Sequence, residues 1–131
     1  MGKYYATLLE ECKKIQEDKF RLTDATAINW EIGRKTHEYV KKRMLGEIKE
    51  YQLIKKLSHD LCSTQIPAFL NFYREYPDLN KRRKKLTWAL YYHLLSLPKK
   101  ERTFYEKKLL SGEIKNREEL RAILRRRRQN A

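Results

Sequence analysis

The sequence predicts an all-α fold, a compact bundle of about six or seven helices that contains helix-turn-helix-like units. Only four glycines and three prolines occur among its 131 residues. Apolar residues recur at helical spacing, and almost nowhere do they alternate with polar residues as in a strand. One domain is the default at this length, so we expect a single helical domain over residues 1–124 and a basic C-terminal tail over residues 125–131.

The first two predicted helices lie on either side of a turn over residues 20–24. The first helix, over residues 4–18, carries one apolar stripe that consists of Tyr5, Leu8, Cys12 and Ile15. The second helix is capped by Thr23 or Asp24 and reaches about Met44. Its interior glycine, Gly33, costs ~1 kcal/mol relative to alanine, so we expect another helix to approach closely there.

The third and fourth predicted helices flank the short polar stretch CST. The third extends from about residue 47 to residue 61. Its apolar residues recur at helical spacing and are Ile48, Tyr51, Ile54, Leu57 and Leu61. Ser63 or Thr64 is expected to cap the fourth helix, with Pro67 in its first turn and Pro77 at its end. Its predicted inward residues are Ile66, Phe69, Leu70 and Tyr73.

Three more helices are predicted in the C-terminal half. The first extends from Leu86 to about Leu97, with Trp88, Tyr91 and Leu95 pointing inward. Pro98 suits the first position of the next helix, and Gly112 suits its end. Asn116 and Glu119 have the spacing of a capping box, which marks the start of the last helix.

The charge balance predicts a polyanionic partner. Lys and Arg number 31 against 17 Asp and Glu, which gives a net charge of +14. A hydrophobic share of 40%, with 11% aromatic residues, is too high for a disordered chain. A folded domain that keeps such an excess of cations is typical of nucleic-acid-binding proteins.

Cellular context is predicted from what the chain lacks. Two cysteines are too few for a disulfide framework, which favours a reducing compartment. The N-terminal segment carries acids and has no unbroken apolar core, so it is not typical of a signal peptide. No apolar run approaches the ~18 residues that a membrane span needs. We therefore expect a soluble, cytoplasmic protein with no membrane partner.

A first helix-turn-helix candidate covers Tyr51 to Tyr76. Its second helix would offer Gln65, Asn71 and Arg74 to base edges in a major groove. The same residues can equally form a solvated face, because short turns join helix pairs in any helical domain.

A second candidate covers Leu86 to Arg128 and is flanked by cations on both sides. A run of five cations precedes it and consists of Lys81, Arg82, Arg83, Lys84 and Lys85. Its last helix carries Arg117, Arg121, Arg125, Arg126, Arg127 and Arg128. Both sets are predicted to contact phosphates, since arginine and lysine neutralise them directly. The alternatives are a linker for the first set and a disordered tail for the second.

Catalytic chemistry is not expected. His59 and Cys62 are three residues apart, but two ligands do not make a zinc site. No Gly-rich phosphate loop and no paired carboxylates in an apolar setting occur. The sequence therefore predicts no enzyme activity, no metal and no cofactor.

Six motifs occur in an order that resembles a known family. They are INWEIGRKTHEY, YQLIKKLSHDL, FYREYPDL, LTWALYYHLLSL, ERTFYEKKLL and NREELRAIL. Over roughly residues 25–124 this order resembles the helical N-terminal domain of the YhcG-like family of PD-(D/E)XK nucleases. The nuclease domain of that family lies downstream, so the resemblance implies a DNA-binding or assembly module without the catalytic residues.

The sequence thus leads to three hypotheses. The first is a non-catalytic module that binds duplex DNA and acts with a separate nuclease or other DNA-processing partner. The second is a homodimerising assembly module, with an interface around Trp30, Gly33 and His37. The third is an RNA-binding factor, which the composition suits equally well.

Overall fold

The computed structural model describes residues 2–17, 24–81 and 85–129. These residues form seven α-helices and one short 3₁₀ helix, and they contain no strand. The helices are α1 (Gly2–Glu17), α2 (Ala25–Lys42), α3 (Glu47–Asp60), α4 (Ile66–Glu75), α5 (Trp88–Leu94), α6 (Lys99–Ser111) and α7 (Arg117–Gln129), and the 3₁₀ helix is Leu79–Lys81. The prediction of an all-α chain with six or seven helices is confirmed.

The chain divides into two compact units at the cationic run. The N-terminal unit is Met1–Arg82 and the C-terminal unit is Arg83–Ala131. The N-terminal unit contains α1 to α4, and the C-terminal unit contains α5 to α7. A single domain over residues 1–124 stays a prediction, and each unit is described by itself.

The core of the N-terminal unit forms where α2 packs against α4 and α1. Gly33 lies at the crossing of α2 and α4, where a Cβ atom would come within 2.0 Å of the Phe69 carbonyl oxygen. The close helix approach predicted at Gly33 is therefore confirmed. The buried apolar side chains of this unit include Leu8, Cys12, Ile32, Leu53, Leu57, Ile66, Leu70 and Phe72.

Helix starts in the N-terminal unit follow the predictions in part. Asp24 caps α2, because its Oδ1 accepts a hydrogen bond of 3.1 Å from the Ala27 N–H. The predicted cap of α4 is wrong: Gln65 is the N-cap residue and makes no side-chain cap bond. Ser63 instead accepts a 3.3 Å hydrogen bond from the Gln65 N–H, which stabilises the turn before the helix. Pro67 lies in the first turn, as predicted.

The apolar stripe predicted on α3 is only partly correct. Leu57 and Leu61 are buried, but Ile48 and Tyr51 are 76% and 67% exposed. Leu53, which lies outside the predicted stripe, is buried, so the buried stripe contains Leu53, Leu57 and Leu61 on the helix that packs against α4. Which stripe is buried depends on the neighbouring helix, and periodicity alone does not reveal it.

The C-terminal unit consists of α5 packed against α6 and α7. Helix α5 is shorter than predicted, since it begins after Thr87 and ends at Leu94. Gly112 ends α6 with a φ of +86°, a left-handed conformation that glycine adopts without strain. The buried apolar side chains of this unit are Leu86, Tyr91, Leu94, Leu97, Ile114, Leu120 and Leu124.

Helix α7 begins at a capping box and continues into the predicted tail. The Asn116 Oδ1 accepts a 2.9 Å hydrogen bond from the Glu119 N–H. The Glu119 carboxylate accepts a 2.7 Å bond in return from the N–H of Lys115, one residue before the expected donor. The helix ends at Gln129, so Arg125 to Arg128 are helical and the boundary predicted at Leu124 is not a helix end.

Candidate nucleic-acid interface

The excess of positive charge is concentrated in the C-terminal unit. Residues 83–131 contain 15 Lys and Arg against five Asp and Glu, a net charge of +10. Residues 1–82 contain 16 against 12, a net charge of +4. The smaller unit therefore carries most of the field that would attract a polyanion.

One side of α7 carries a continuous row of arginines, which we call the arginine face. It consists of Arg117, Arg121, Arg125 and Arg128, all exposed. At about 100° of rotation per residue, these four side chains fall within an arc of about 80°. The adjacent side of the helix carries Leu120 and Leu124, which are buried in the unit. Burial of the leucines therefore fixes the direction in which the arginine face points.

The predicted arginines differ in how far acidic neighbours neutralise them. Arg117 lies 3.5 Å from the carboxylate of Glu118, its neighbour in sequence. Arg127 forms an ion pair with Glu101 on α6. The other four have no acidic partner among the described residues, and these are Arg121, Arg125, Arg126 and Arg128. Helix geometry places Arg126 on the side of α7 opposite the arginine face.

The arginine face borders an open cleft of about 500 Å³. The cleft is lined by His93, Arg121, Leu124, Arg125, Arg128 and Gln129. Burial lowers the pKa of the half-buried His93, and the nearby Arg121, Arg117 and Arg128 guanidinium groups lower it further. A neutral imidazole and several guanidinium groups thus converge on one concave surface.

The predicted basic run is described only at its two ends. Lys81 ends the 3₁₀ helix and Lys85 begins the turn before α5, and both are exposed. Arg82, Arg83 and Lys84 lie outside the described residues. Phosphate contact by this run therefore stays a prediction.

The first helix-turn-helix candidate has its key arginine engaged within the chain. The Arg74 guanidinium on α4 donates hydrogen bonds of 2.5 and 3.3 Å to the two carboxylate oxygens of Glu50 on α3. Its Nε donates a 3.1 Å bond to Nδ1 of His37 on α2. Arg74 would have to leave this network to read a base. Asn71 is exposed, whereas Gln65 is half-buried at the start of α4.

The Arg74 network changes the pKa values of both its partners. The hydrogen bond from Arg74 holds the pKa of Glu50 below its ordinary value. Burial, followed by the positive charge of Arg74, lowers the pKa of His37. A neutral His37 can accept the Arg74 hydrogen bond, and a carboxylate can accept two, so the network matches these charge states.

The face suggested for a homodimer is partly covered within the chain. The Trp30 indole N–H donates a 2.7 Å hydrogen bond to the Tyr76 carbonyl oxygen. The rings of Trp30 and His37 each lie 5.3 Å from the ring of Tyr73, and Gly33 touches the α4 backbone. Helix α4 therefore occupies part of this face, Trp30 and His37 are half-buried, and the dimer interface suggested there stays a prediction. Dimerisation through another surface stays a hypothesis.

Sequence reasoning missed the part that His93 plays. No role was predicted for His93, yet α7 brings three arginines close enough to lower its pKa. Residues 93 and 121 are far apart in sequence, so no local spacing could reveal this.

The described residues contain no group of three His, Cys, Asp or Glu side chains that could hold a metal ion. None of the described helices is long and apolar enough to cross a membrane.

Comparison with known proteins identifies no relative. No protein-family model matches the chain, and searches of the curated proteins and of the solved structures returned no match. The resemblance to the YhcG-like family therefore stays a prediction from the six motifs.

Proposed function

We propose that this chain is a non-catalytic helical module that binds duplex nucleic acid, with DNA as the preferred form. The observation that carries the proposal is the arginine face of α7, a row of four exposed cations on the more basic of the two units. An α-helix that presents arginines in one direction can contact successive phosphates of a backbone. Such contacts supply affinity without sequence preference.

Three features of α7 support phosphate contact over a merely solvated helix. The leucines beside the arginine face are buried, so the arginines are held on a packed helix. Arg121, Arg125 and Arg128 have no acidic partner among the described residues, so phosphates would not have to displace a carboxylate from them. Basic residues in the last turn also interact favourably with the helix dipole, which helps to stabilise the helical state before binding.

A salt titration of duplex DNA binding tests the proposal. We expect the logarithm of the affinity to fall linearly with the logarithm of salt concentration, because each neutralised phosphate releases counterions. The double variant R121A/R125A should bind all sequences more weakly, and its salt slope should be smaller by about 1.8 if each arginine contacts one phosphate. Fluorescence anisotropy at several salt concentrations measures both quantities.

The matched control is the double variant K107A/R126A. It removes the same charge, but Lys107 is on α6 and Arg126 lies on the far side of α7. We expect it to change the salt slope much less than R121A/R125A. A flat salt dependence of the unmodified protein, or equal losses in the two double variants, would contradict the proposal.

The other hypotheses are separated by two direct measurements. Competition between duplex DNA and structured RNA distinguishes a DNA-binding from an RNA-binding module. Light scattering at high salt distinguishes a stable homodimer from a monomer. Action with a separate nuclease or other DNA-processing partner is part of the proposal and rests on the motif resemblance alone.

A further inference from the structure

We propose that the cleft between His93 and the arginine face is a discrete site for one phosphate group. The site deepens the proposed function and relies on it for the source of the phosphate, which would be a nucleic-acid backbone or end. Arg121, Arg125 and Arg128 line the cleft from α7, and His93 lines it from α5. The site therefore combines groups from two helices, in contrast to a simple row of cations.

The shape of the cleft favours a phosphate over a diffuse counterion atmosphere. Its volume of about 500 Å³ can hold a phosphate group together with ordered water. Guanidinium groups bind phosphate oxygens through two parallel hydrogen bonds, and this geometry needs defined directions. Side chains that converge on a concave surface supply such directions, whereas cations on a convex surface do not.

The charges around His93 leave an unmatched positive field. Arg121, Arg117 and Arg128 act on it from α7, and Tyr92 is in ring contact with it at 5.7 Å on its own helix. Helix α6 also packs against α5, but its Glu101 carboxylate forms an ion pair with Arg127. A bound anion would offset the repulsion between the arginines and a protonated imidazole. Phosphate binding and protonation of His93 should therefore favour each other.

The histidine NMR signals provide the test. The chain contains three histidines, and two of them, His37 and His59, lie in the N-terminal unit. We expect inorganic phosphate to raise the pKa of His93 in the intact protein and to leave that of His37 unchanged. Sulfate should also raise the pKa of His93. Because the charge of sulfate does not change near neutral pH, its effect cannot come from titration of the ligand. Equal pKa shifts at His37 and His93, or no shift at His93, would overturn the site.

Two double variants test whether the arginines bind the phosphate that shifts the pKa of His93. R121A/R125A should weaken phosphate binding, followed at the His93 signal, by about tenfold or more, since hydrogen bonds to charged groups are among the strongest. K107A/R126A should bind phosphate as the unmodified protein does. Both pairs are exposed, so neither is expected to prevent folding. Equal weakening in both double variants would show that binding depends on net charge and not on the position of the arginines. This result would overturn the site.

Two DNA duplexes with different ends identify which kind of phosphate binds at the site. They also distinguish a failure of this site from a failure of the proposed function. Duplex DNA with 5′-hydroxyl ends offers backbone phosphates only, and the same duplex with 5′-phosphate ends adds terminal groups. A His93 response to both duplexes assigns the site to the backbone, and a response to the second alone assigns it to ends. If inorganic phosphate moves His93 and neither duplex binds, the site stands and the proposed function fails. If duplexes bind without moving His93, the function stands and the site fails.

Discussion

Gly33 shows at the scale of one residue how closely the N-terminal unit is packed. The α2 helix meets the α4 backbone there, with room for hydrogen but not for a methyl group. A helix-interior glycine costs about 1 kcal/mol of helix propensity, and the direct contact between the two helices offsets this cost. The sequence could predict this feature because a glycine within a long helical pattern is typical of a close packing contact.

Replacing Gly33 with alanine should destabilise the protein by about 2 kcal/mol. The added methyl group would overlap the Phe69 carbonyl, which belongs to a backbone that cannot rotate away, so the helices must separate. This cost exceeds the gain of about 1 kcal/mol in helix propensity. Denaturant unfolding followed by circular dichroism measures the difference.

Gly46 provides the control for this substitution. A Cβ atom at Gly46 would have no neighbour within 4 Å, and the residue is the N-cap of α3. Gly46→Ala should cost only about 0.5 kcal/mol, the difference between glycine and alanine at such a position. Similar effects of the two substitutions would show that the helix contact at Gly33 does not limit stability.

At the scale of elements, the Arg74 network joins the three central helices of the N-terminal unit. Arg74 on α4 reaches Glu50 on α3 and His37 on α2. Sequence reasoning placed Arg74 on an exposed, base-reading face, because its partners are 24 and 37 residues away in the chain. Periodicity shows which side of a helix is polar, but it does not show which polar side chain finds a distant partner.

Replacing Glu50 with glutamine should destabilise the protein near neutral pH by about 1 kcal/mol, since the pair is partly exposed and has two hydrogen bonds. The pKa of Glu50 in the folded state is lower than its unfolded value of about 4.3, so its contribution is complete above that value. As pH falls through the lowered pKa, the carboxyl is protonated and the contribution is lost. The difference in unfolding free energy between the two proteins should therefore shrink at acid pH.

Urea unfolding at about pH 7 and about pH 3 checks this expectation. The exposed Glu10, which pairs with Lys14 at 3.5 Å along α1, provides the comparison. Glu10→Gln should change stability by less than about 0.5 kcal/mol at either pH, because exposed pairs contribute little. A difference for Glu50→Gln that persists unchanged at acid pH would contradict the assigned role of its charge.

Helix α7 shows what could and could not be predicted about the candidate site. The capping box and the four-residue spacing of Arg117, Arg121 and Arg125 are local patterns, so the sequence predicted both the helix start and the row of cations. The sequence left two readings of Arg125 to Arg128, the last turns of a helix or a disordered tail, because a run of arginines resembles such a tail in composition. The structure continues the helix to Gln129. Arg127 pairs with Glu101 on another helix, which only the three-dimensional structure reveals.

At the scale of the whole molecule, the net charge of +14 should limit stability at low salt. Like charges repel in the folded state, and added ions screen this repulsion. We expect the melting temperature to rise by about 3–5 °C between about 50 and 300 mM NaCl, which corresponds to about 1 kcal/mol. A neutral solute at the same osmolality should not reproduce the rise. A melting temperature that is constant or falls with salt would show that internal ion pairs outweigh the excess charge.

Because the chain divides into two units, its two tryptophans report on different parts of the protein. Trp30 lies on α2 of the N-terminal unit, and Trp88 begins α5 of the C-terminal unit. Each indole is therefore a natural fluorescent reporter for its own half of the protein. If the emission of both changes at one denaturant concentration, the halves unfold as one cooperative domain. If the emissions change at different denaturant concentrations, one half unfolds while the other half stays folded.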